Sequence, residues 1–290
     1  MRGWWQDLTD LVLPAECGGC GRPRTVLCPQ CRAALSGAVP RRVRPVPEPR
    51  GLPVVYAAAP YADEVRAVLL AHKERGALPL ARPLGVALAG AVRAGLNGAL
   101  KRVPLLLVPV PSGRGAVRAR GHDPARRIAL AAAAELRRTG TPARVLSVLR
   151  QQRPVADQSG LDARQRLENL AGALSVTAGG AGLLHAGSVV LVDDLMTTGA
   201  SLTEAARALR VALAEETAGY RGAALATSGD VVTAVYTGVS GERTGERMTG
   251  SVEGSTVREG AVPGKANSAR DVICAAVIAA PPDSFEINRN

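Results

Sequence analysis

Val189-Val-Leu-Val-Asp-Asp-Leu-Met-Thr-Thr-Gly-Ala-Ser201 is the stretch that decides how this chain is read. Ser188–Val192 is a short apolar run rich in β-branched residues, the pattern of a strand buried on both faces. Two adjacent carboxylates, Asp193 and Asp194, follow at its carboxyl edge, where open parallel sheets hold their ligands. A turn of small residues, Thr197, Thr198, Gly199, Ala200 and Ser201, then leads into a helix predicted over Ser201–Ala214. Backbone N–H groups of such a turn, with the first free N–H groups of the helix, converge on one point and hold an anion. Gly199 permits the turn, small side chains let a phosphate come close, and Thr197, Thr198 and Ser201 add hydroxyl donors. Carboxylates repel phosphate, so the Asp pair must serve another group. Vicinal ribose hydroxyls suit it, bonded directly or through a magnesium ion. A 5-phosphoribosyl group offers phosphate and hydroxyls at the needed separation. An acidic strand end before a Ser/Thr-rich cap is common by itself; the complete thirteen-residue order points to phosphoribosyl binding.

Outward from this stretch, strands and helices alternate. Val54–Ala59 and Leu105–Val110 read as strands, the second closed by Pro111. Ala62–Lys73, Leu80–Leu96 and Asp123–Arg138 have helical spacing, and Gly140 ends the last. Arg144–Leu149 is a weaker strand. This alternation predicts an α/β fold, a mostly parallel sheet flanked by helices and joined by right-handed crossovers. Beyond Glu215 the pattern breaks. Gly238–Arg270 has no helical or strand period and reads as disordered. Val231–Val239 and Val272–Ala280 flank it as two strand-like runs, and either fits as the next parallel strand. The expected division is a four-cysteine head at 1–36, a Pro/Arg linker at 37–53 and a sheet domain at 54–237. A disordered segment at 238–270 and a candidate final core strand with a tail at 271–290 complete it. Prolines at 40, 45, 47, 49 and 53 exclude a helix or a central strand from the linker.

Of the 290 residues, 47% are apolar but only 2% aromatic, so the core must be built from Ala, Val and Leu. The formal charge of +11 is unevenly placed. Residues 1–210 hold 29 Lys/Arg against 15 Asp/Glu, a net of +14. Such a field attracts polyanions, whether nucleic acid or phosphorylated small molecules. No run reaches the eighteen or so apolar residues of a membrane span, and Met1–Trp5 has no signal-like apolar run. The expectation is a cytoplasmic chain whose thiols stay reduced.

Cys17-x2-Cys20 and Cys28-x2-Cys31 make a pair of knuckles, the tetrahedral thiolate set that zinc prefers. Gly18, Gly19 and Gly21 are expected to supply the unusual backbone angles of the first. All four positions are filled, which implies structural rather than catalytic zinc. Cys274 lies in an apolar run and reads as an inert core thiol. His72 and His122 look unpaired and take surface or site-lining roles; Trp4 and Trp5 suit stacking on a base, but the expectation is that they anchor the amino terminus against the zinc module.

The chain resembles the ComF-type proteins, which are similar to type I phosphoribosyltransferases with a cysteine-rich amino-terminal extension. Five features carry the resemblance over about Leu11–Arg210, in order: the four-cysteine head; Tyr61…Lys73-Glu-Arg-Gly76; Val108-Pro-Val-Pro-Ser112 with Arg120-Gly121; Arg153…Gln158…Arg166-Leu-Glu-Asn169; and the Val189–Ser201 motif. The resemblance implies phosphoribosyl pyrophosphate as ligand, usually with magnesium, and a role in natural competence, with single-stranded DNA and the competence machinery as partners. Phosphoribosyl transfer needs its leaving group neutralised, which makes Lys73, Arg114, Arg120 and Arg166 candidates for the pyrophosphate side, with ordinary surface charge the equal alternative in this arginine-rich chain; Ser112 is expected in the loop that cradles pyrophosphate. His122-Asp123-Pro124 stands where the family has Phe-Asn-Gln, Val155 where Thr is common, and Leu174 where Phe is common. No residue stands out as a general base or a reader of an acceptor base. An active magnesium-dependent phosphoribosyltransferase is therefore the alternative to a ligand-binding adaptor, and an inert α/β domain with a metal module is the third reading.

Overall fold

The computed structural model describes residues 16–96, 103–156, 160–228 and 274–285. In chain order the elements are α1 (Pro29–Ser36), β1 (Arg41–Val43), β2 (Val55–Pro60), α2 (Asp63–Lys73), α3 (Ala81–Leu96) and β3 (Leu105–Pro109). They continue with α4 (Arg114–Arg120), α5 (Pro124–Arg138), β4 (Ala143–Val145), β5 (Leu149–Gln151), α6 (Ala163–Leu170) and β6 (Leu174–Val176). The last are α7 (Gly180–Leu184), β7 (Ser188–Leu195), α8 (Ala200–Ser228) and β8 (Cys274–Ala280). A single 3-10 turn, Leu78–Leu80, leads into α3.

Six strands form one sheet in the order β1-β2-β8-β7-β3-β4, parallel throughout except for β1 against β2. Both faces are covered, so alternate residues of each strand enter different cores. Leu105, Leu107, Val190, Val192, Ala276 and Ile278 pack with α2, α3 and α5. Leu106, Val108, Val189, Leu191, Ala275 and Val277 pack with α8 through Leu202, Ala205 and Leu209. Each fully buried Leu or Val stabilises the fold by about 1.5–3 kcal/mol. With almost no aromatics, the helices must come close. Gly85 of α3 shows how close: a Cβ there would lie 2.5 Å from the Ala131 side chain of α5.

Four sequence readings change in detail. Of the two strand-like runs near the carboxyl end, Cys274–Ala280 is a strand, and it lies in the middle of the sheet with every residue buried. Val231–Val239 and the stretch read as disordered lie outside the described residues, as do Trp4, Trp5 and Gln158. The weak strand expected over Arg144–Leu149 is two strands. β4 is the sheet's edge, and β5 pairs antiparallel with β6 in a separate hairpin. The Pro-rich stretch 37–53 does not run free. It supplies edge strand β1, its Gly51 carbonyl accepts a hydrogen bond from Arg210, and Pro45 and Leu52 press on Gly199. Finally, β7 runs on to Leu195, which puts both carboxylates inside the strand rather than after it.

Among the described residues, no helix is long and apolar enough to cross a membrane.

Candidate functional site

β7 and β3 are neighbours, but their onward connections diverge. β3 leads through α4 and α5 to β4 on one side, and β7 leads through α8 to β8 on the other. The helices after them also cover opposite faces: α5 packs on one core and α8 on the other. This is a topological switch, and open sheets form a crevice there, beyond the carboxyl ends of the strands. Two loops meet over it. Pro111–Gly113 follows β3, whose register is carried on by the Val110 N–H donating to the Val192 carbonyl at 2.9 Å. Met196–Gly199 follows β7.

The turn before α8 has the geometry that its sequence suggested. Gly199 sits at φ +77°, a left-handed angle that glycine adopts without strain. A side chain there would also come within 3.1 Å of Leu52. The first helical hydrogen bond runs from the Thr203 N–H to the Gly199 carbonyl at 2.9 Å. The N–H groups of Ala200, Ser201 and Leu202 thus precede the ladder, and helices leave such groups for caps or ligands. Thr197 is exposed, Thr198 and Ser201 are half-buried, and Gly199 and Ala200 are buried.

Strand alternation sends the two carboxylates apart. Asp194 follows Val190 and Val192 to the α2 face, where its Oδ2 lies 2.9 Å from Lys73 Nζ. Asp193 follows Val189 and Leu191, and its Oδ1 accepts the Asp194 N–H at 2.8 Å. Asp193 keeps partial solvent access but is set deep among protein atoms. Burial holds its carboxyl well above the usual range, the Asp194 charge adds to this, and Lys73 works against it. Burial opposes the Lys73 ammonium, but Asp194 and Asp193 outweigh it and raise Lys73 above its ordinary value.

Of the predicted cations, Lys73 and Arg120 come together. Arg120 Nη1 lies 3.1 Å from Glu74 Oε1, one residue beyond Lys73, and the Arg120 charge acts on Lys73. Ser112 is half-buried in the loop after β3, and Arg114 opens α4. Arg166 is half-buried on α6, with Nε enclosed and partnerless among the described residues. It lies on the helix whose Leu167 and Leu170 pack against Ala200. Ser112, Asp193, Asp194 and residues 197–201 thus lie at the carboxyl ends of the adjacent strands β3 and β7, with Lys73 on Asp194 beside them.

No protein-family model matches the chain, and no curated protein matches it.

Against the middle of α2, the four thiols of Cys17, Cys20, Cys28 and Cys31 all lie within 4.8 Å of one another. Cys20 and Cys28 are 3.7 Å apart, close to the edge of about 3.8 Å expected for a tetrahedron with Zn–S near 2.3 Å. The set can therefore hold a metal ion such as zinc. Burial would raise the Cys17 thiol, but the N–H groups of Cys28, Cys20 and Gly19 bring it down to about 6. The Cys31 N–H lowers Cys28, while burial and the neighbouring thiols raise Cys31. The glycines do a different job from the one expected. Only Gly21 has a positive φ; Gly18 and Gly19 are needed for space. A Cβ on Gly19 would stand 2.6 Å from Cys31 Sγ, and one on Gly18 would stand 2.6 Å from Leu80. The head is part of the main core: Cys17, Cys28, Cys31 and Leu35 share it with Val68 and Leu69 of α2. Cys274 is buried in β8, and burial pushes its thiol up to about 12.

Two features escaped the sequence. His72 and His122 are paired after all, their ring centroids 5.8 Å apart. Fifty positions separate them, so no local spacing could reveal it. Glu204, buried on α8, accepts the Leu174 N–H at 2.9 Å and grips Arg207 at 2.7 Å, fastening the β5–β6 hairpin to α8. Its i, i+3 spacing to Arg207 was the available sign.

Proposed function

We propose that this is a ComF-type protein that binds phosphoribosyl pyrophosphate, with magnesium, in the crevice between β7 and β3, and serves in DNA uptake or single-stranded DNA handling. One observation carries the reading: the Asp193–Asp194 pair and the left-handed Gly199 turn meet at the topological switch. The turn offers amide hydrogens to the 5-phosphate. The carboxylates offer hard oxygen ligands to magnesium, or acceptors to the ribose hydroxyls. Magnesium supplies charge neutralisation for the pyrophosphate. Ser112, Arg114, Arg120 and Arg166 are the residues we assign to that side, with Lys73 holding Asp194. In the head, Cys17, Cys20, Cys28 and Cys31 hold a structural zinc, a closed ligand set whose task is to brace α2.

The test is thermal unfolding with phosphoribosyl pyrophosphate and magnesium. At a hundredfold excess over Kd the ligand adds about 2.7 kcal/mol of stability. The Asp193→Asn/Asp194→Asn double variant should lose that gain. No shift in the wild type at millimolar ligand sinks the proposal. The DNA role is tested separately by single-stranded DNA retardation at low salt, where charge-driven binding must strengthen; its absence there removes that role alone.

The pairing of Lys73 and Arg120 near the crevice favours a second reading, an active phosphoribosyltransferase with a base or amine acceptor. Two cations at that edge suit a departing pyrophosphate. Pyrophosphate release with a pool of acceptors, above the double-variant background, would support it.

A further inference from the structure

A second cavity opens on the α3–α5 side, about 610 Å³ in volume, and none of the crevice residues above line it. That volume suits a small-molecule ligand. Its walls differ in character. One is cationic: Arg82 of α3 with Arg126 and Arg127 of α5. The other is apolar, and includes Leu78 and Leu130, both among the large hydrophobic residues left exposed by the fold. Asp123 is the only carboxylate among the lining residues, and it is already engaged, capping α5 by accepting the Arg126 N–H at 3.1 Å. Arg126 donates its Nε to Ser147. The guanidinium groups of Arg82 and Arg127 have no ion pair or hydrogen bond among the described residues.

His122 borders the cavity, and its Nδ1 lies 3.0 Å from the Arg120 carbonyl, which can only accept, so that nitrogen carries a hydrogen. Its Nε2 is enclosed and has no partner among the described residues. His72, only 1% exposed, repeats the arrangement: Nδ1 faces the Ala77 carbonyl at 3.3 Å and Nε2 is orphaned. Buried polar atoms without partners are uncommon in folded proteins. Both atoms are closed off from solvent, with the His122 ring at the edge of the cavity and the His72 ring behind it.

We propose that this cavity binds a nucleoside di- or triphosphate, separately from the β7–β3 crevice. The phosphates meet Arg82, Arg126 and Arg127, and the base lies on Leu78 and Leu130. Three guanidiniums facing one engaged carboxylate match a ligand of two to four negative charges. A purely inorganic anion would leave the two leucines in water. From His122 the line of contact runs through His72 to its neighbour Lys73, and so to Asp194.

The experiment is calorimetric titration of the full, metal-loaded chain with adenosine triphosphate in magnesium-free buffer. Saturable binding is expected, weakened about tenfold or more by Arg82→Glu and by Arg127→Glu, both exposed positions whose change leaves the fold intact by circular dichroism. Leu130→Asn, which removes the apolar surface without adding charge, should weaken the nucleotide and leave inorganic tripolyphosphate unaffected. The Asp193→Asn/Asp194→Asn chain should bind the nucleotide normally while failing to bind phosphoribosyl pyrophosphate, so the two sites can fail independently. No binding at millimolar nucleotide overturns the proposal. So does nucleotide binding that is lost in the Asp variant, or tripolyphosphate that binds as tightly as the nucleotide.

Discussion

Lys73 Nζ stands 2.9 Å from Asp194 Oδ2, joining the last turn of α2 to the end of β7. Two adjacent carboxylates at a buried strand end repel one another, and this ammonium is the cation that faces them. Removing it by Lys73→Met should destabilise the fold by about 1–2 kcal/mol. That is less than the 3–5 kcal/mol of a fully enclosed pair, because the lysine is still partly open to water. Urea unfolding measures this, and adding Asp194→Asn to Lys73→Met should recover part of the loss. If the double variant is no more stable than the single, the pair does not carry this role.

Asp193 gives a pH dependence of the opposite sign to most acids. Its folded pKa lies above the unfolded value, because burial and Asp194 disfavour its charge. The unfolded chain therefore releases this proton first as pH rises, and stability falls through that window. Asp193→Asn should accordingly raise Tm at neutral pH, with the gain vanishing as pH approaches the ordinary carboxylate range. An unchanged or lower Tm at pH 7 contradicts this.

Glu204 behaves in the conventional direction. Burial would raise its pKa, but Arg207 and the Leu174 N–H outweigh burial and lower it. Its stabilising effect is complete above the unfolded value and disappears as pH falls through the lowered folded value. Glu204→Ala leaves the Leu174 N–H unpaired and Arg207, which is partly open to water, with only its bond to the Leu174 carbonyl, and should cost about 1–3 kcal/mol at pH 7. Hydrogen exchange should show the β5–β6 hairpin opening first.

Gly85→Ala sets two effects in opposition. Alanine is the better helix residue by about 1 kcal/mol. Its methyl group, though, would sit 2.7 Å from the backbone carbon of Ala131, and overpacking of that kind costs about 1–3 kcal/mol. Steric conflict with backbone should win, giving a lower midpoint in denaturant.

Gly19→Ala tests the metal head in the same way. With Cys31 Sγ 2.6 Å from the new carbon, one ligand must shift. The wild type should hold about one zinc per chain and the variant less than half of that, as read by metal analysis. Equal zinc content would contradict the proposed site.

How much of this was legible depended on whether the signal was local. Val189–Val192 and Leu105–Val108 are unbroken apolar runs, and such runs become strands with both faces covered. The two cysteine knuckles were equally plain, because their spacing is set within a few residues. The choice between Val231–Val239 and Val272–Ala280 was not, since both runs have the same apolar character and pairing to β2 and β7 leaves no mark in either. Edge strand β1 hid among prolines because an edge tolerates them. Gly18 and Gly19 were noticed for the wrong reason: their neighbours, Leu80 and Cys31, decide their identity, not their own dihedral angles. The His72–His122 contact exists only after α2 and the α4–α5 turn have met.

The position of β8 has a consequence for biosynthesis. β1 and β2 on one flank, and β7, β3 and β4 on the other, touch β8 and are not laddered to each other. The two flanks therefore cannot be joined into one sheet until β8 has been made. A stop codon upstream of Cys274 removes the strand that joins the two flanks, and the truncated chain should fail to form the six-stranded sheet even though every residue of the crevice has already been made.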